Sequence, residues 1–128
     1  LQFLQHVCGR LGLEATFLKE RAEEAGRKRW RAQYDVSTAR AVAPMPVLCE
    51  YCLPLVKLSG YFVAMKADVT NELDTAENAI RKLGGAAPEL RRYALPDGSA
   101  RVLVMIRKVE DTPAQYPRNG GTIAKRPL

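Results

Sequence analysis

Residues 34–43 form a strand-like run that ends in small side chains around a single cation, Arg40. A strand packs through large apolar residues, so the change to Ser37, Thr38 and Ala39 indicates that something else approaches the backbone there. In an open α/β sheet, ligands bind outside the carboxyl ends of the strands, which is where Arg40 would lie. The pattern therefore predicts a ligand site at Arg40. A structural salt bridge to a neighbouring carboxylate is the alternative role for this residue.

The three cysteines, Cys8, Cys49 and Cys52, raise the question of redox or metal chemistry. Cys49 and Cys52 have the CxxC spacing of such motifs, but a structural zinc site needs four Cys or His ligands. Only His6 and Cys8 remain to supply the other pair, from a distant helix. The CxxC pair also shares helical spacing with apolar neighbours, which is typical of small core residues. We therefore expect reduced thiols in a cytoplasmic protein, no bound metal, and a core or surface role for His6, which has no partner triad in view.

The composition is that of one domain with a basic surface. The chain has 128 residues, of which 47% are hydrophobic, enough for a single core. No apolar run approaches the roughly 20 residues that span a bilayer, so no transmembrane helix is predicted. The 20 Lys and Arg against 14 Asp and Glu give a formal net charge of +6, which favours an anionic partner. Nucleic acid is the first candidate, and a solvated basic surface without a partner is the alternative.

The densest charge run, residues 27–31, surrounds Trp30. An exposed Trp among cations can stack on a base, so this run could be an RNA-facing patch. A solvated helix face with Trp30 folded onto the core is the favoured interpretation.

Hydrophobic periodicity and turn residues divide the chain into alternating helices and strands. The predicted elements are a helix over 1–11 ended by Gly12, a strand over 15–18, a strand over 34–39, a helix over 46–56 whose last turn Pro54 kinks or ends, a strand over 61–65, a helix over 71–83 ended by Gly84 and Gly85, and a hairpin of strands 90–95 and 101–106. Three prolines and the pair Gly120-Gly121 predict an extended basic tail over 111–128 with a glycine hinge. The alternation predicts an α/β fold over 1–110, with a mostly parallel sheet and one antiparallel strand near its edge.

Five short blocks in register resemble a known family. They are residues 21–24, 35–43, 53–57, 62–66, and a tail block made of 116–118 with 125–128. Together they resemble the C-terminal portion of the bacterial glucose-inhibited division protein B family, the guanine-N7 methyltransferases of small-subunit (16S) ribosomal RNA, over essentially all of the chain. The resemblance implies a partial Rossmann-like, S-adenosylmethionine-dependent methyltransferase fold. The family's sheet has seven strands, of which the last two form the hairpin predicted here.

The resemblance also implies which residues contact the cofactor. Ala22 and Glu23 match family positions beside the adenosine of S-adenosylmethionine, and Arg40 matches the cofactor-contacting arginine after the fourth strand. Glu23 has an alternative role as a first-turn helix residue that the helix dipole favours.

The basic residues of the tail are the predicted contacts to small-subunit ribosomal RNA. Arg118, Lys125 and Arg126 would bind phosphates, or would merely solubilise the chain. Methyl transfer to guanine N7 needs positioning rather than a general base, because N7 carries a free lone pair and no proton. No catalytic residue is therefore predicted.

Two departures and one absence distinguish the chain from the family pattern. Ser59 stands where the family often has a second glycine, and Ala67 stands where glycine usually follows Lys66. The family's glycine-rich first loop and the acidic residue after its second strand would both precede Leu1, and nothing in these 128 residues replaces them. We therefore expect a piece cut from a longer protein, which binds S-adenosylmethionine weakly or not at all and is inactive alone.

A three-layer α/β half-domain is the expected architecture of this piece. The strand over 15–18 would lose its usual neighbours, so it either pairs with residues 36–38 or stays unpaired. A non-enzymatic RNA-binding module or an inactive remnant is the alternative function, which the net charge and the missing first loop favour.

Overall fold

The computed structural model describes residues 1–40, 43–67 and 72–128. Its elements are α1 (Gln2–Leu11), α2 (Ala22–Ala25), β1 (Tyr34–Arg40), α3 (Met45–Cys52), a 3-10 turn (Leu53–Leu55), β2 (Val56–Lys66), α4 (Glu72–Lys82), β3 (Glu89–Ala94), β4 (Ala100–Arg107) and α5 (Gly120–Lys125). Among these elements, no helix combines the length and the apolar character needed to cross a bilayer.

The four strands form one sheet in the order β1-β2-β4-β3. β1 and β2 are parallel, and β4 is antiparallel to both β2 and β3, so three strands point in one direction and only β4 opposes them. The turn between β3 and β4 is stabilised by Asp97, whose side chain accepts a hydrogen bond from the backbone N–H of Ser99 at 2.8 Å. The predicted mostly parallel sheet with a C-terminal antiparallel hairpin is confirmed.

Helices cover one face of this sheet and supply the core. Alternate strand residues such as Phe62, Val104 and Ile106 are fully buried and belong to one cluster with Leu48 of α3 and Ile80 of α4. The alternation is the period of two that a strand imposes on its side chains.

No helix of the described residues covers the opposite face of the sheet. Its residues include Val36, which is 51% exposed, and Met65, which is 37% exposed. α1 buries none of its residues. The expected third layer is therefore absent from the described residues, which form two layers, because the apolar face of α1 does not pack against the sheet.

Glycines end α1 and α4 where the sequence predicts, whereas α3 ends before its predicted last residue. Gly12 follows α1 with a φ of 70°, the left-handed conformation that glycine adopts at low cost. α3 ends at Cys52, earlier than residue 56, and Pro54 lies in the 3-10 turn that follows. Gly84 follows α4 with a φ of 93°, and a Cβ there would collide with the backbone of Glu110.

β2 is longer than the predicted strand over 61–65. Its first residues include the expected turn over 57–60, where the register with β1 shifts between Tyr34 and Val36. Ser59 has a φ of 69° in this irregular stretch. The family's preference for glycine at this position therefore matches a backbone conformation that favours glycine.

The predicted strand over 15–18 is wrong. Residues 13–19 have no regular secondary structure, and β1 pairs with β2 alone among the described strands. A strand requires a hydrogen-bonded neighbour, and none of the described strands pairs with residues 15–18. Of the two expected outcomes, pairing with residues 36–38 or an unpaired segment, the structure shows the unpaired segment.

The predicted extended tail is wrong over Gly120–Lys125, which form α5. Asn119 caps this helix, because its side-chain oxygen accepts a hydrogen bond from the backbone N–H of Thr122 at 2.9 Å. Ile123 is fully buried. The glycine pair therefore starts a helix that packs on the domain and is not a hinge, while the domain boundary at residue 110 stays a prediction.

Arg31 fixes the segment that leads to α5. Its guanidinium donates hydrogen bonds to the backbone carbonyls of Tyr116 and Thr112, each at 2.6 Å. Arg31 belongs to the charge run that was expected to be solvated. It instead ties the start of the tail to the loop after α2.

A buried ion pair fixes the tail to α3. The Glu50 side chain is 0% exposed, and its Oε1 lies 2.8 Å from Nη2 of Arg118. Nε and the backbone N–H of Arg118 also donate to Oε2 of Glu50, at 3.0 and 2.7 Å. Hydrogen bonding to Glu50 raises the pKa of Arg118 above its ordinary value. The pair is a charge-assisted, bidentate contact in which a buried carboxylate is fully partnered.

Lys108 is a buried cation with one hydrogen-bond acceptor among the described residues. Only 2% of Lys108 is exposed, and its Nζ donates to the backbone carbonyl of Leu53 at 3.0 Å. Burial, and to a smaller extent the nearby charge of Arg31, lowers the pKa of Lys108 from 10.5 to about 8. The folded protein therefore releases this proton at a lower pH than the unfolded chain does.

We predict that Lys108 makes the free energy of unfolding rise with pH above neutrality. Below pH 8 both states carry the proton, and between about 8 and 10.5 the unfolded state binds more protons, so stability increases across that window. The gain relative to a Lys108→Met variant is up to roughly 3 kcal/mol, at about 1.4 kcal/mol for each unit of pKa. Urea unfolding of both proteins at pH 7.5, 9 and 10.5 measures it. Parallel stability curves for the two proteins would contradict the prediction.

We also predict that the Arg118→Met substitution destabilises the fold by about 3 kcal/mol, because it leaves the buried carboxylate of Glu50 without its cation. The double variant with Glu50→Gln should lose less than the sum of the two single changes. Urea unfolding of the four proteins measures this coupling. Arg126→Met, at an exposed arginine of the same tail, is the matched control and should change stability by less than about 0.5 kcal/mol. A similar loss in Arg126→Met and Arg118→Met would show that the ion pair has no special role.

Candidate functional site

Arg40 is the last residue of β1 and lies exposed at the carboxyl edge of the sheet. It lines a cleft of about 490 Å³ together with Met65 and Lys66 of β2, Tyr93 of β3 and Arg101 of β4. The described residues form four salt bridges, and Arg40 takes part in none of them. The predicted ligand site at this edge of the sheet therefore coincides with a cleft. The neighbouring Ala41 and Val42 lie outside the described residues.

Lys66 lies at the bottom of the cleft and is 5% exposed. Its Nζ donates to the backbone carbonyl of Ala43 at 2.9 Å and to Oε1 of Glu72 at 2.8 Å. These two bonds connect the end of β2 to the segment after β1 and to the first turn of α4. Lys66 therefore has a structural role at the base of the cleft. The loop after Ala67 lies outside the described residues.

Ala22 and Glu23 begin the short helix α2. Glu23 is 6% exposed, and its Oε1 lies 3.8 Å from the Arg21 guanidinium. Its carboxylate also packs against Gly120, where any Cβ would collide with it. Glu23 therefore lies in the first turn of α2, as its alternative role as a helix-favoured residue requires, and its side chain contacts α5.

The two groups of predicted cofactor residues do not line one cavity. A cleft of about 480 Å³ next to α2 is lined by Arg21 and Glu24 among others, and it shares no lining residue with the cleft at Arg40. The assignment of Ala22, Glu23 and Arg40 to one cofactor site remains a prediction from the family resemblance.

The three predicted RNA contacts of the tail have different environments. Lys125 and Arg126 are exposed and line a shallow cavity of about 310 Å³ beside α5. Arg118 is instead bound to Glu50, and its Nη2 also donates to the backbone carbonyl of Arg126 at 2.9 Å. The guanidinium of Arg118 therefore has a structural role, whereas the sequence suggested either phosphate binding or solubility.

Cys49 and Cys52 are core residues, as their spacing indicates, whereas Cys8 is partly exposed on α1. Cys49 and Cys52 are buried in α3, and neither forms a disulfide. Burial raises the pKa of both thiols, that of Cys52 to about 11 against an ordinary 9.0. A hydrogen bond from the side chain of Ser37 partly offsets this effect at Cys52. Thiols protonated in this way are poor nucleophiles and poor metal ligands.

No metal-binding cluster of His, Cys, Asp and Glu occurs within residues 1–40, 43–67 and 72–128. His6 lies exposed on α1, in agreement with a surface role.

Trp30 already has protein partners for its ring. The Arg29 guanidinium lies 4.7 Å from the ring centroid, and the ring of Tyr34 stacks at 6.2 Å between centroids. Trp30 is half-buried, and its Nε1 is buried without a partner among the described residues. Trp30 therefore packs on Arg29 and Tyr34 and does not belong to the core cluster onto which the favoured interpretation placed it.

Sequence reasoning did not identify Tyr93 and Arg101 as parts of the cleft. They are register partners in the β3-β4 hairpin, and they reach the cleft because β4 lies between β2 and β3. The hairpin itself was predicted. Tyr93 and Arg101 are equally far in sequence from the Pro96-Asp97-Gly98 turn, which indicates that they pair across the hairpin. That pairing places them at the cleft only once the strand order is known.

Comparison with known proteins identifies the family of this chain. The family model GidB, described as rRNA small subunit methyltransferase G, matches residues 1–94. A ribosomal RNA small subunit methyltransferase G of Halalkalibacterium halodurans is 48% identical over 130 residues, which cover 98% of this chain and 55% of that protein. The same-named protein of Staphylococcus aureus is 47% identical over 131 residues, covering 100% of this chain and 55% of that protein. The chain thus spans about half the length of the curated relatives it matches.

A solved structure supports the fold independently of these sequences. A SAM-dependent O-methyltransferase of Thermotoga maritima superposes with a TM-score of 0.57, covering 88% of this chain and 47% of that one at 12% identity. At that identity the likeness shows the fold alone, and the fold is that of a Rossmann-like methyltransferase. With this fold, and with relatives close to half identical along the whole chain, the protein belongs to the GidB family, described as rRNA small subunit methyltransferase G.

Proposed function

We propose that this chain is the C-terminal part of an S-adenosylmethionine-dependent enzyme that methylates N7 of a guanine in small-subunit (16S) ribosomal RNA. The observation that carries the proposal is the exposed Arg40 at the carboxyl end of β1, in a cleft at the edge where α/β sheets bind ligands. The names of the relatives support the RNA substrate, and the family resemblance supports the N7 position. A cytoplasmic location follows from the ribosomal substrate.

The chemistry of this reaction asks little of protein side chains beyond positioning. Guanine N7 is already a nucleophile, so the reaction is an in-line displacement that succeeds when the two reacting atoms are held close and aligned. The cofactor, when bound, supplies the methyl group on its sulfonium. The residues of this chain would orient the cofactor and the RNA on either side of the carboxyl edge of the sheet.

The residues present fit part of the cofactor. The exposed guanidinium of Arg40 suits a carboxylate, the anionic group of the cofactor's methionine end. Ala22 has a side chain small enough for close approach of an adenine ring. The Glu23 carboxylate is buried against Gly120, so its backbone is the part of this residue that is available to a ligand.

The exposed cations of the tail fit an RNA backbone. Lys125 and Arg126 lie on the surface of α5, a helix fixed to the domain by Asn119 and Arg118. Phosphate contacts of this kind position an RNA without reading its sequence. A non-enzymatic RNA-binding module is the second candidate function, which the net charge of +6 favours.

We predict that the 128 residues alone bind S-adenosylmethionine more weakly than micromolar, because they contain no glycine-rich loop between a strand and a helix. A chimera that joins the N-terminal 45% of the Halalkalibacterium halodurans relative to this chain should bind the cofactor in the micromolar range. Arg40→Gln in the chimera should weaken binding by about 10- to 100-fold, the value of a charge-assisted hydrogen bond. Isothermal titration calorimetry measures all three affinities.

The control for Arg40→Gln is Arg92→Gln, which removes an equal charge from an exposed position outside the cleft. Borohydride reduction followed by aniline cleavage of RNA treated with the chimera then reports N7-methylguanine. Micromolar binding by the 128 residues alone would contradict the affinity prediction. A chimera that binds the cofactor but never methylates small-subunit RNA would overturn the enzymatic proposal in favour of the binding module.

We predict that RNA binding by this chain weakens steeply with salt and that Lys125 and Arg126 contribute to the slope. Each phosphate contact to a single strand contributes about 0.7 to the slope of log affinity against log salt, so the double change to glutamine should reduce the slope by roughly 1.4. Fluorescence anisotropy of a labelled single-stranded RNA at several salt concentrations measures it. Lys82→Gln at the exposed end of α4 is the control and should leave the slope unchanged. A slope near zero in the unchanged protein would exclude phosphate contacts.

A further inference from the structure

The cleft at Arg40 extends across the sheet to the β3-β4 hairpin. Arg40 is the register partner of Met65, and Met65 is the register partner of Leu103. Leu103 is in turn the register partner of Arg91 in the hairpin. Tyr93 and Arg101 form the pair two residues closer to the turn, and they are directly opposite each other. Directly opposed residues place their side chains on the same face at about 5 Å between Cβ atoms. Tyr93 and Arg101 therefore form the outer wall of the cleft, on the sheet face that none of the described helices covers.

The charge of this cleft is positive among its described residues. The described part of the lining includes Arg40, Lys66 and Arg101 and contains no Asp or Glu. The charge of Lys66 is balanced by Glu72 at 2.8 Å. Among the described residues, Arg101 donates one hydrogen bond, from Nη1 to the backbone carbonyl of Ala100 at 2.8 Å. S-adenosylmethionine is itself a net cation, so the outer wall of the cleft suits an anion better than it suits the cofactor's sulfonium.

An aromatic ring stands next to this charge. Tyr93 is 41% exposed on an edge strand, and Met65 on the same face is 37% exposed. A ring beside an arginine is the combination that binds single-stranded nucleic acid, because the base stacks on the ring and the phosphate binds the cation. The volume of about 490 Å³ lies in the range of small-ligand sites and accommodates one nucleotide.

We infer that Tyr93 and Arg101 form a subsite for one nucleotide of the bound RNA, in which Tyr93 stacks on a base and Arg101 binds an adjacent phosphate. The inference rests on the proposed function, because it takes the RNA to be the substrate. It adds to that function a pair of positioning residues on the hairpin. The subsite holds the RNA at the carboxyl edge of the sheet, next to Arg40.

The test is binding of a fluorescein-labelled single-stranded RNA decamer to the 128-residue chain, followed by anisotropy. Tyr93→Leu should weaken binding about tenfold, within the range measured for loss of one stacked base, whereas Tyr93→Phe should keep the affinity within about twofold. Arg101→Gln should weaken binding and lower the salt slope by about 0.7, the value of one phosphate.

Arg92→Gln is the matched control, since Arg92 is an exposed arginine of the same hairpin that does not line the cleft. Circular dichroism and urea unfolding of each variant check that the fold is retained. We expect it to be retained in the Tyr93 variants, because Tyr93 is exposed on an edge strand. Equal affinities for Tyr93→Leu, Tyr93→Phe and the unchanged chain would overturn the subsite, as would equal effects of Arg101→Gln and Arg92→Gln.

The subsite and the proposed function fail in different ways. If the chain binds RNA but neither variant matters, the subsite is wrong and the methyltransferase proposal is unaffected. If the chimera fails to methylate RNA while Tyr93→Leu and Arg101→Gln still weaken binding, the enzymatic proposal is wrong and the subsite is supported as part of a binding module. Absence of any RNA binding by the unchanged chain would contradict the subsite.

Discussion

The fold depends on one buried carboxylate. Glu50 is fully buried within α3, and burying an unpaired carboxylate costs several kcal/mol, so the fold must bring a cation to it. That cation is Arg118, which lies 68 residues later in the chain. The requirement brings the tail back across the helical layer, and α5 then packs Ile123 into the protein. Gly120 in turn packs against Glu23, so the ion pair also determines where α2 meets α5.

Sequence reasoning succeeded where local chemistry decides the structure and failed where distant residues do. Gly12 and Gly84 end helices because of their own backbone freedom, so their positions are readable from the sequence. The strand predicted over 15–18 has the right residue types but no neighbour to pair with. α5 is the reverse case, a helix that forms although its residue types do not favour one. Gly120 and Gly121 each disfavour a helix by about 1 kcal/mol. It forms nonetheless because Asn119 caps it and tertiary contacts hold it.

The candidate site shows the same division. Arg40 was predicted from its position after a strand of small residues, and the cleft lies there. Tyr93 and Arg101 could not be assigned to it from the sequence, because the assignment requires both the hairpin register and the insertion of β4 between β2 and β3. Register depends on turn geometry, and a slip of one residue would turn both side chains to the other face of the sheet.

Net charge alone does not identify the cations that can bind RNA, whereas burial and hydrogen bonding do. Arg118 and Lys66 are bound to carboxylates, and Lys108 and Arg31 donate to backbone carbonyls. A donor that is already bound to protein must break that contact before it can bind a phosphate, and the buried partner would then be left unsatisfied. Under the proposed function, phosphate contacts are therefore expected at exposed cations. Exposed cations of the described residues include Lys125 and Arg126 on α5 and Arg40 at the carboxyl edge of the sheet. Others, such as Lys82 and Arg92, are equally exposed elsewhere, so exposure is necessary for a phosphate contact but does not by itself assign one.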